Sequence, residues 1–407
     1  MQKLTPHIDS IARDGVRFTN AYMSGCVCSP SRAGLMTGRY QQRFGYDNNL
    51  PPGTQNGLSL KETFGAKRLQ GLGYRTGLIG KWHLGYPAKF HPNRRGWNWF
   101  YGLLQGSRKY YPIKKPSPNR VIQENGKATD ETGYVTDRFG DAACRFIAEH
   151  SAFHKGAEHS NEPFFLFVSF TAPHGPLQPR ASDADRLAHI PDGKRRRYAG
   201  LVVALDDNVG KILVALKKAG LEKKTLVLFT NDNGGQTQTG ANNDPLRGKK
   251  GTLWEGGVRV PWAMRWPGNI KAGLVIDDPV IALDLVPTFV TVAGGEIDPA
   301  WNLDGIDLTS RLKSPQEDLP ARTLYWRQHG SRGPISLREG NWKLIYNRGQ
   351  KNAQPQLFDL RRDIGESTDL ANDKPDLVKS LMAKVFAWKK ELREPLWGRG
   401  KRNKKAK

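Results

Sequence analysis

The sequence predicts an α/β fold: a mainly parallel central sheet sandwiched by helices, with a small C-terminal antiparallel sheet plus one helix. Three observations carry this expectation. Short continuous apolar runs at 74–80, 163–170 and 226–230 are the mark of strands buried on both faces. Amphipathic stretches at 136–150 and 198–219 alternate with them and have the length and spacing of helices. Beyond a polar, proline-bearing stretch around 313–320, short strand-like runs follow near 323–327, 334–338, 342–346 and 357–360, then a helical segment over 375–392. The expected division is a catalytic α/β domain over 1–315, an antiparallel subdomain over 316–395 and a basic disordered tail over 396–407.

Taken in order, Thr5 caps a first helix with Pro6 at its first position, Ile8, Ile11 and Ala12 on one face and Gly15 as its stop. His7 reads as a surface residue of that helix start. A short strand over 16–22 leads to Cys28, where Ser29 reads as a helix N-cap and Pro30 as the first helical residue. A helix mouth offers free N–H groups and the positive end of its dipole, and Arg32 adds a full charge one turn along, so the place suits an anion. Local physics alone leaves Cys28 open as a low-pKa nucleophile of a cysteine hydrolase or as a redox sensor. Cys26 reads as a packed bystander.

After a helix over 59–69, the 74–80 strand ends in Gly80-Lys81-Trp82-His83-Leu84-Gly85, with Lys81 and His83 facing the same way. Ligands of open parallel sheets bind beyond the carboxyl ends of strands, which makes this a place for chemistry. The aromatic and cationic run at 94–101, with Arg108-Lys109-Tyr110-Tyr111 after it, either stacks a sugar or belongs to the core. The 163–170 strand ends at His174, in the same strand-end position as His83. Asp206 and Asp207, adjacent on a helix, form an exposed face or a packing pair rather than a metal site. The 226–230 strand runs into Asn231-Asp232-Asn233-Gly234-Gly235, oxygen ligands suited to a hard divalent cation. A helix over 284–293 closes the first domain.

The chain has 407 residues, 63 lysines and arginines against 39 acidic residues, and a formal net charge of +24, which steers a polyanion through the summed field. Basic residues are scattered and no nucleic-acid module is readable, so no nucleic-acid partner is expected; the charge favours steering of a polyanion without identifying it, and makes a sulfated glycan a better substrate than a steroid or lipid. The three cysteines form no disulfide framework, and no stretch approaches the ~20 apolar residues of a membrane span.

The string Cys28-Ser29-Pro30-Ser31-Arg32, followed by Thr37-Gly38-Arg39, resembles the signature of the type I, formylglycine-dependent sulfatases of the alkaline-phosphatase superfamily. Gly80-Lys81-Trp82-His83-Leu84-Gly85, Asp232-Asn233-Gly234 and Arg247 to Gly257 resemble further motifs of that family, and the likeness continues through Trp342-Lys343-Leu344 and Leu357-Phe358-Asp359-Leu360. The resemblance implies an arylsulfatase-like sulfuric ester hydrolase acting on a sulfated carbohydrate or other sulfate ester, with Cys28 oxidised by a maturation enzyme to formylglycine, whose hydrate attacks sulfur. It implies that Arg32 and Lys81 hold that group, that Asp232, Asn233 and residue 28 bind Ca2+ or Mg2+, and that His83 assists sulfate elimination. It also implies that His174 and Lys250 serve the leaving group. Lys250 is selected over Lys249 by alignment on the Glu255-Gly256-Gly257 end.

Two rival readings are a phosphonate or phosphate ester hydrolase of the same superfamily and a catalytically inactive polyanion-binding protein. In the sulfatase pattern an apolar strand ending in two aspartates precedes the Thr-Pro helix, whereas this chain opens at Met1-Gln2-Lys3-Leu4-Thr5-Pro6. The expectation is therefore an N-terminally shortened form, poorly active and poorly folded, with a gap in the central sheet and an incomplete metal site. Any secretion signal would be lost with that strand; a full-length form would be periplasmic or secreted.

Overall fold

The computed structural model describes residues 4–151, 159, 162–191, 193–314 and 316–398. Its centre is a strand, Arg75–Lys81, parallel to Trp99–Leu103 on one side and to Phe164–Ser169 on the other. Two short antiparallel strands, Gln123–Glu124 and Lys127–Ala128, extend the Trp99 side. Leu78 and Ile79 alternate to opposite faces, as strand geometry requires. Leu78 packs with Ala33, Phe64 and Trp82, and Ile79 packs with Ile11, Phe139 and Leu201. Helices Pro6–Arg13, Val135–Glu149 and Lys194–Lys218 thus cover one face, while Cys28–Thr37, Gly65–Gly71 and Leu285–Val292 cover the other.

The parallel sheet is interrupted. A second sheet holds Leu274–Ile276, Val16–Phe18, Trp262–Arg265 and Val227–Thr230 in that order, and Trp262–Arg265 runs antiparallel to both of its neighbours. Phe164–Ser169 and Val227–Thr230 are the facing edges of the two sheets. Leu166 and Val227 lie in one apolar cluster, yet no ladder joins their strands among the described residues. Both strands are half-buried over almost their whole length, where Arg75–Lys81 is almost wholly buried. The sequence pattern reads these runs as interior strands because each is continuously apolar; in the structure each lacks a partner on one side. The expected strand over 16–22 is also two, Val16–Phe18 and Ala21–Tyr22, the second pairing with Val280–Ile281.

The C-terminal part is an antiparallel meander, Thr323–Arg327, Ile335–Glu339, Trp342–Tyr346 and Gln356–Asp359, packed by the helix Pro375–Lys390. Its core continues into the first part: Trp326, Leu337, Leu344, Leu381 and Trp388 share a cluster with Tyr22, Tyr40, Ile281 and Leu283. Residues 396–398 of the expected tail pack on the fold. Trp397 is buried, stands edge-on to Tyr46 and donates its indole N–H to the Asn49 carbonyl at 3.0 Å. Residues 399–407 lie outside the described residues.

Several helix starts differ from their sequence reading: the helix expected over 59–69 spans Gly65–Gly71, the one expected over 198–219 spans Lys194–Lys218, and the first two helices of the chain are opened by other residues than expected. Thr5 Oγ bonds Asp9 at 3.1 Å rather than a backbone N–H, and the N-terminal N–H groups of His7 and Ile8 are taken by Asp206 at 3.2 and 2.8 Å. Asp206 is thus a packing residue, and Asp207 beside it pairs with Arg180 and Arg186. At the second start the helix opens at Cys28, with Val27 as its N-cap, so Ser29 is no cap and Pro30 is the third helical residue.

Candidate active site

The first turn of Cys28–Thr37 is held by distant partners. Ser29 N–H donates to Asn49 Oδ1 at 2.9 Å, and Ser29 Oγ donates to the His83 carbonyl at 2.7 Å. Pro30 sits where a backbone N–H would find no intrahelical acceptor, so its missing hydrogen costs nothing. This tethers the Cys28 turn to the end of the Arg75–Lys81 strand. Arg32, buried on the next turn, donates Nε to the Trp82 carbonyl at 2.9 Å and Nη2 to the Lys81 carbonyl, over the Phe167 ring. Its guanidinium is therefore fixed by main chain, with Nη1 at 3.9 Å from Asp232.

Lys81 closes its strand with Nζ at 3.1 Å from Asp232 Oδ2. Two residues on, His83 adopts φ 60°, a left-handed conformation uncommon for a residue with a Cβ, and its ring turns toward Cys28. The ring lies flat against Gly106: a Cβ there would sit 2.5 Å from His83 Cε1. His174 follows the Phe164–Ser169 strand. Its Nδ1 is 2.8 Å from the Gly175 carbonyl, and Tyr110 OH donates to the His174 carbonyl at 2.7 Å. With Nδ1–H so engaged, Nε2 is the nitrogen left to hydrogen-bond Cys28.

Asp232 and Asn233 follow Val227–Thr230. Lys250 stands on the loop after them and donates Nζ to Cys28 Sγ at 3.2 Å. Its backbone N–H is tied to the Gly235 carbonyl at 3.0 Å. Lys249 instead gives its backbone N–H to Thr252 Oγ at 3.1 Å. Every residue singled out in the sequence, Cys28, Arg32, Lys81, His83, His174, Asp232, Asn233 and Lys250, stands at one end of the two sheets, beyond strand termini.

The electrostatics follow from this geometry. Burial and the Asp232 carboxylate push the Cys28 thiol up, but Lys81 and hydrogen bonds from His174 and His83 outweigh them and hold it well below the ordinary thiol range. Cys26, packed in the apolar cluster, has no such partners, and burial pushes it up to about 12. Burial raises Asp232, yet Lys81, Arg32 and Lys250 together keep it firmly ionised. Burial depresses His83, which favours its neutral imidazole. Three cations thus face one carboxylate, with two imidazoles on the neighbouring thiol, a site with room for negative charge.

The sulfatase family model matches residues 1–295, and the model described as N-sulphoglucosamine sulphohydrolase, C-terminal, matches 249–392. The chain belongs to the sulfatase family. It is 31% identical to arylsulfatase J of Mus musculus over 95% of this chain and 72% of that protein. It is 32% identical to arylsulfatase A of Homo sapiens over 93% of this chain and 81% of that one. The structure of Ps i-CgsB in complex with k-i-k-neocarrahexaose superposes with a TM-score of 0.90 at 34% identity, covering 97% of this chain and 89% of that one. The sulfatase is accordingly a sulfuric ester hydrolase of the alkaline-phosphatase type.

The family works with a metal ion, which can be tested against the residues present in this sulfatase. Asn233 Oδ1 is a buried acceptor without a donor among the described residues, as a cation ligand should be. Asp232 Oδ2, however, is engaged by Lys81, and among the described residues no three His, Cys, Asp or Glu side chains converge as a metal site. Calcium gathers about six to eight oxygens, several of them anionic. The described residues therefore do not complete a divalent-cation site. No described helix is long and apolar enough to cross a membrane.

The aromatic run at 94–101 belongs to the core: Trp97 stacks on Phe165, and Trp99 on Phe146. The site residues that sequence reasoning missed are Ser29 as a tether, Gly106 as the floor under His83 and Phe167 beneath Arg32. Gly106 had a signal: it follows the Trp99–Leu103 strand, and strand ends beside Lys81 are where a glycine admits close approach.

Proposed function

We propose that this sulfatase removes sulfate from a sulfated oligosaccharide, with residue 28 as its nucleophile after conversion of the cysteine to formylglycine. The observation that supports the reading is one cluster in which Lys250 meets Cys28, Arg32 and Lys81 stand against the neighbouring Asp232, and His83 and His174 hydrogen-bond the Cys28 thiol. The hydrated aldehyde would supply a hydroxyl that attacks sulfur, and a second hydroxyl that expels sulfate afterwards.

This chain's own residues do the rest. Arg32, locked to two carbonyls, and Lys81 and Lys250 stabilise the charge that spreads over the sulfuryl oxygens, without reorganising as it develops. His174 Nε2, whose opposite nitrogen is held by Gly175, gives a proton to the departing alcohol. His83, kept neutral by burial and with Nδ1 unpartnered among the described residues, takes the proton released when sulfate leaves. Asp232 holds Lys81 and Arg32 in place. The hard oxygens of Asp232 and Asn233 would be this chain's share of a Ca2+ or Mg2+ site, one that needs further ligands.

The substrate class rests on two supports: the net charge of +24, which draws in a polyanion, and the likeness to the structure holding k-i-k-neocarrahexaose. The test is sulfate release from neocarra-type oligosaccharides beside aryl sulfate and aryl phosphonate esters. Turnover of the sulfates with no more than trace phosphonate cleavage is expected. Preference for the phosphonate would replace this reading with a phosphonate ester hydrolase.

A further inference from the structure

The loop bearing Lys250 is tied at its far end to a group of buried charges that takes no part in the chemistry above. Glu255 opens the short helix Glu255–Val258 and is completely buried. Its Oε1 accepts Lys343 Nζ at 2.6 Å, its Oε2 accepts Tyr22 OH at 2.5 Å, and Arg259 Nη1 stands 3.3 Å from Oε2. Arg338, from the neighbouring strand of the C-terminal sheet, also meets Tyr22. Glu366, equally buried and at φ 51°, accepts the Glu255 backbone N–H at 2.8 Å through Oε2. Its carbonyl accepts Arg247 Nη1 at 2.7 Å, and Lys343 Nζ is 3.7 Å from its Oε1, which has no hydrogen-bond partner among the described residues.

Between these anchors the loop has no slack. Gly256 N–H returns to the Arg247 carbonyl at 2.7 Å, and Gly257 N–H to the Trp254 carbonyl at 2.8 Å. A Cβ at Gly257 would lie 2.0 Å from the Thr252 carbonyl oxygen, so the segment packs backbone on backbone. At its other side Gly251 N–H reaches the Cys26 carbonyl at 2.8 Å. A displacement of Glu255 would therefore reach Lys250 and, through it, residue 28.

We propose that Glu255, Lys343 and Glu366 form a buried clamp by which the C-terminal sheet positions Lys250 against residue 28. Stability alone is a poor reason for such a cluster. Desolvation of buried ions consumes most of their attraction, and apolar replacements of similar volume are often neutral or stabilising. What the cluster supplies is direction: Lys343, on a central strand of the meander, accepts one placement of Glu255 and Glu366, and with it one placement of the loop. Burial and the Glu255 carboxylate raise the Glu366 carboxyl to about 7 against the pull of Lys343, so Lys343 is shared between two carboxyl groups that compete for it. The inference rests on the assignment of Lys250 to the site.

The test is a double-mutant cycle between Glu366→Gln and Lys250→Ala. Glu366→Gln keeps an acceptor for the Glu255 N–H and removes the ionisable carboxyl facing Lys343. Its kcat on an aryl sulfate should fall about tenfold with KM changed less than about twofold, and in the Lys250→Ala background the further loss should be under about twofold. A second pair, Lys343→Met with Glu366→Leu, replaces ions by apolar volume and should fold while losing kcat to a similar extent. A third readout needs no turnover: in protein made without maturation, iodoacetamide alkylation of Cys28, followed by peptide mass spectrometry, should slow in Glu366→Gln but not further in the Lys250→Ala background. Failure of the sulfatase reading would leave this alkylation result interpretable. Equal losses in both backgrounds, or parental kcat and alkylation in the apolar pair, would overturn the clamp.

Discussion

Lys250 Nζ meets Cys28 Sγ at 3.2 Å across 222 positions of sequence, while Lys249 beside it spends its backbone N–H within its own turn. Adjacent lysines on one loop thus have different environments. Lys250→Ala should lower kcat by about two to three orders of magnitude, the range seen when one preorganised donor to transition-state charge is removed. Lys249→Ala should stay within about twofold, as surface changes away from a site do. Steady-state rates on an aryl sulfate decide it, and equal losses would spread the role over both lysines.

Cys28→Ala should abolish turnover and leave the melting temperature close to that of the parent, because the nucleophile is lost with little change in volume. Cys26→Ser should remain active. Peptide mass spectrometry of an active preparation should find formylglycine at 28; an active preparation carrying only the thiol there would falsify the assigned nucleophile.

Before maturation the two neighbouring thiols should titrate far apart. The reactive species is the thiolate, populated above the pKa. With Cys28 held well below the ordinary range and Cys26 pushed up to about 12, alkylation at neutral pH should fall on Cys28 rather than Cys26, slowing only on acidification. Alkylation rates against pH, read separately at each cysteine, provide the check, and a Cys28 midpoint at the ordinary thiol value would contradict the electrostatic account.

His174→Ala should harm sulfates with poor leaving alcohols more than activated aryl sulfates, since a good leaving group needs less protonation. Rates on the two classes give the comparison. Equal loss would reduce His174 to a sulfate contact.

Gly106→Ala should lower kcat several-fold although position 106 bears no reacting group, because the new Cβ would press to 2.5 Å from the His83 ring and turn it off residue 28. A variant with parental kcat would show that His83 relaxes without consequence.

Much of the fold could be read from local pattern. The C-terminal meander and its helix emerge where short runs and turn residues place them, within a residue or two. The strands ending at Lys81 and before His174 and Asp232 are equally legible, because a continuously apolar run between turn residues is a property of neighbouring positions. Helix starts fared worse. The N-terminal helix draws its cap from Asp206, 198 positions from the N–H it satisfies, and no local motif announces such a partner.

By itself the sequence determined the alternation of strands and helices, the net positive charge and the short motifs that carry Cys28, Lys81, His83, Asp232 and Lys250, since these depend on periodicity, composition and neighbouring residues. Only the tertiary structure decided that the sheet is interrupted between Phe164–Ser169 and Val227–Thr230, that Trp97 and Trp99 pack into the core, that Lys250 Nζ reaches the Cys28 sulfur, and that Lys343 and Glu366 are buried against Glu255. The reason is physical. Edge pairing and burial of charge depend on which distant groups share a volume, and the free energy of a buried ion or an unpaired strand edge is set by those neighbours rather than by the residues beside it in the chain.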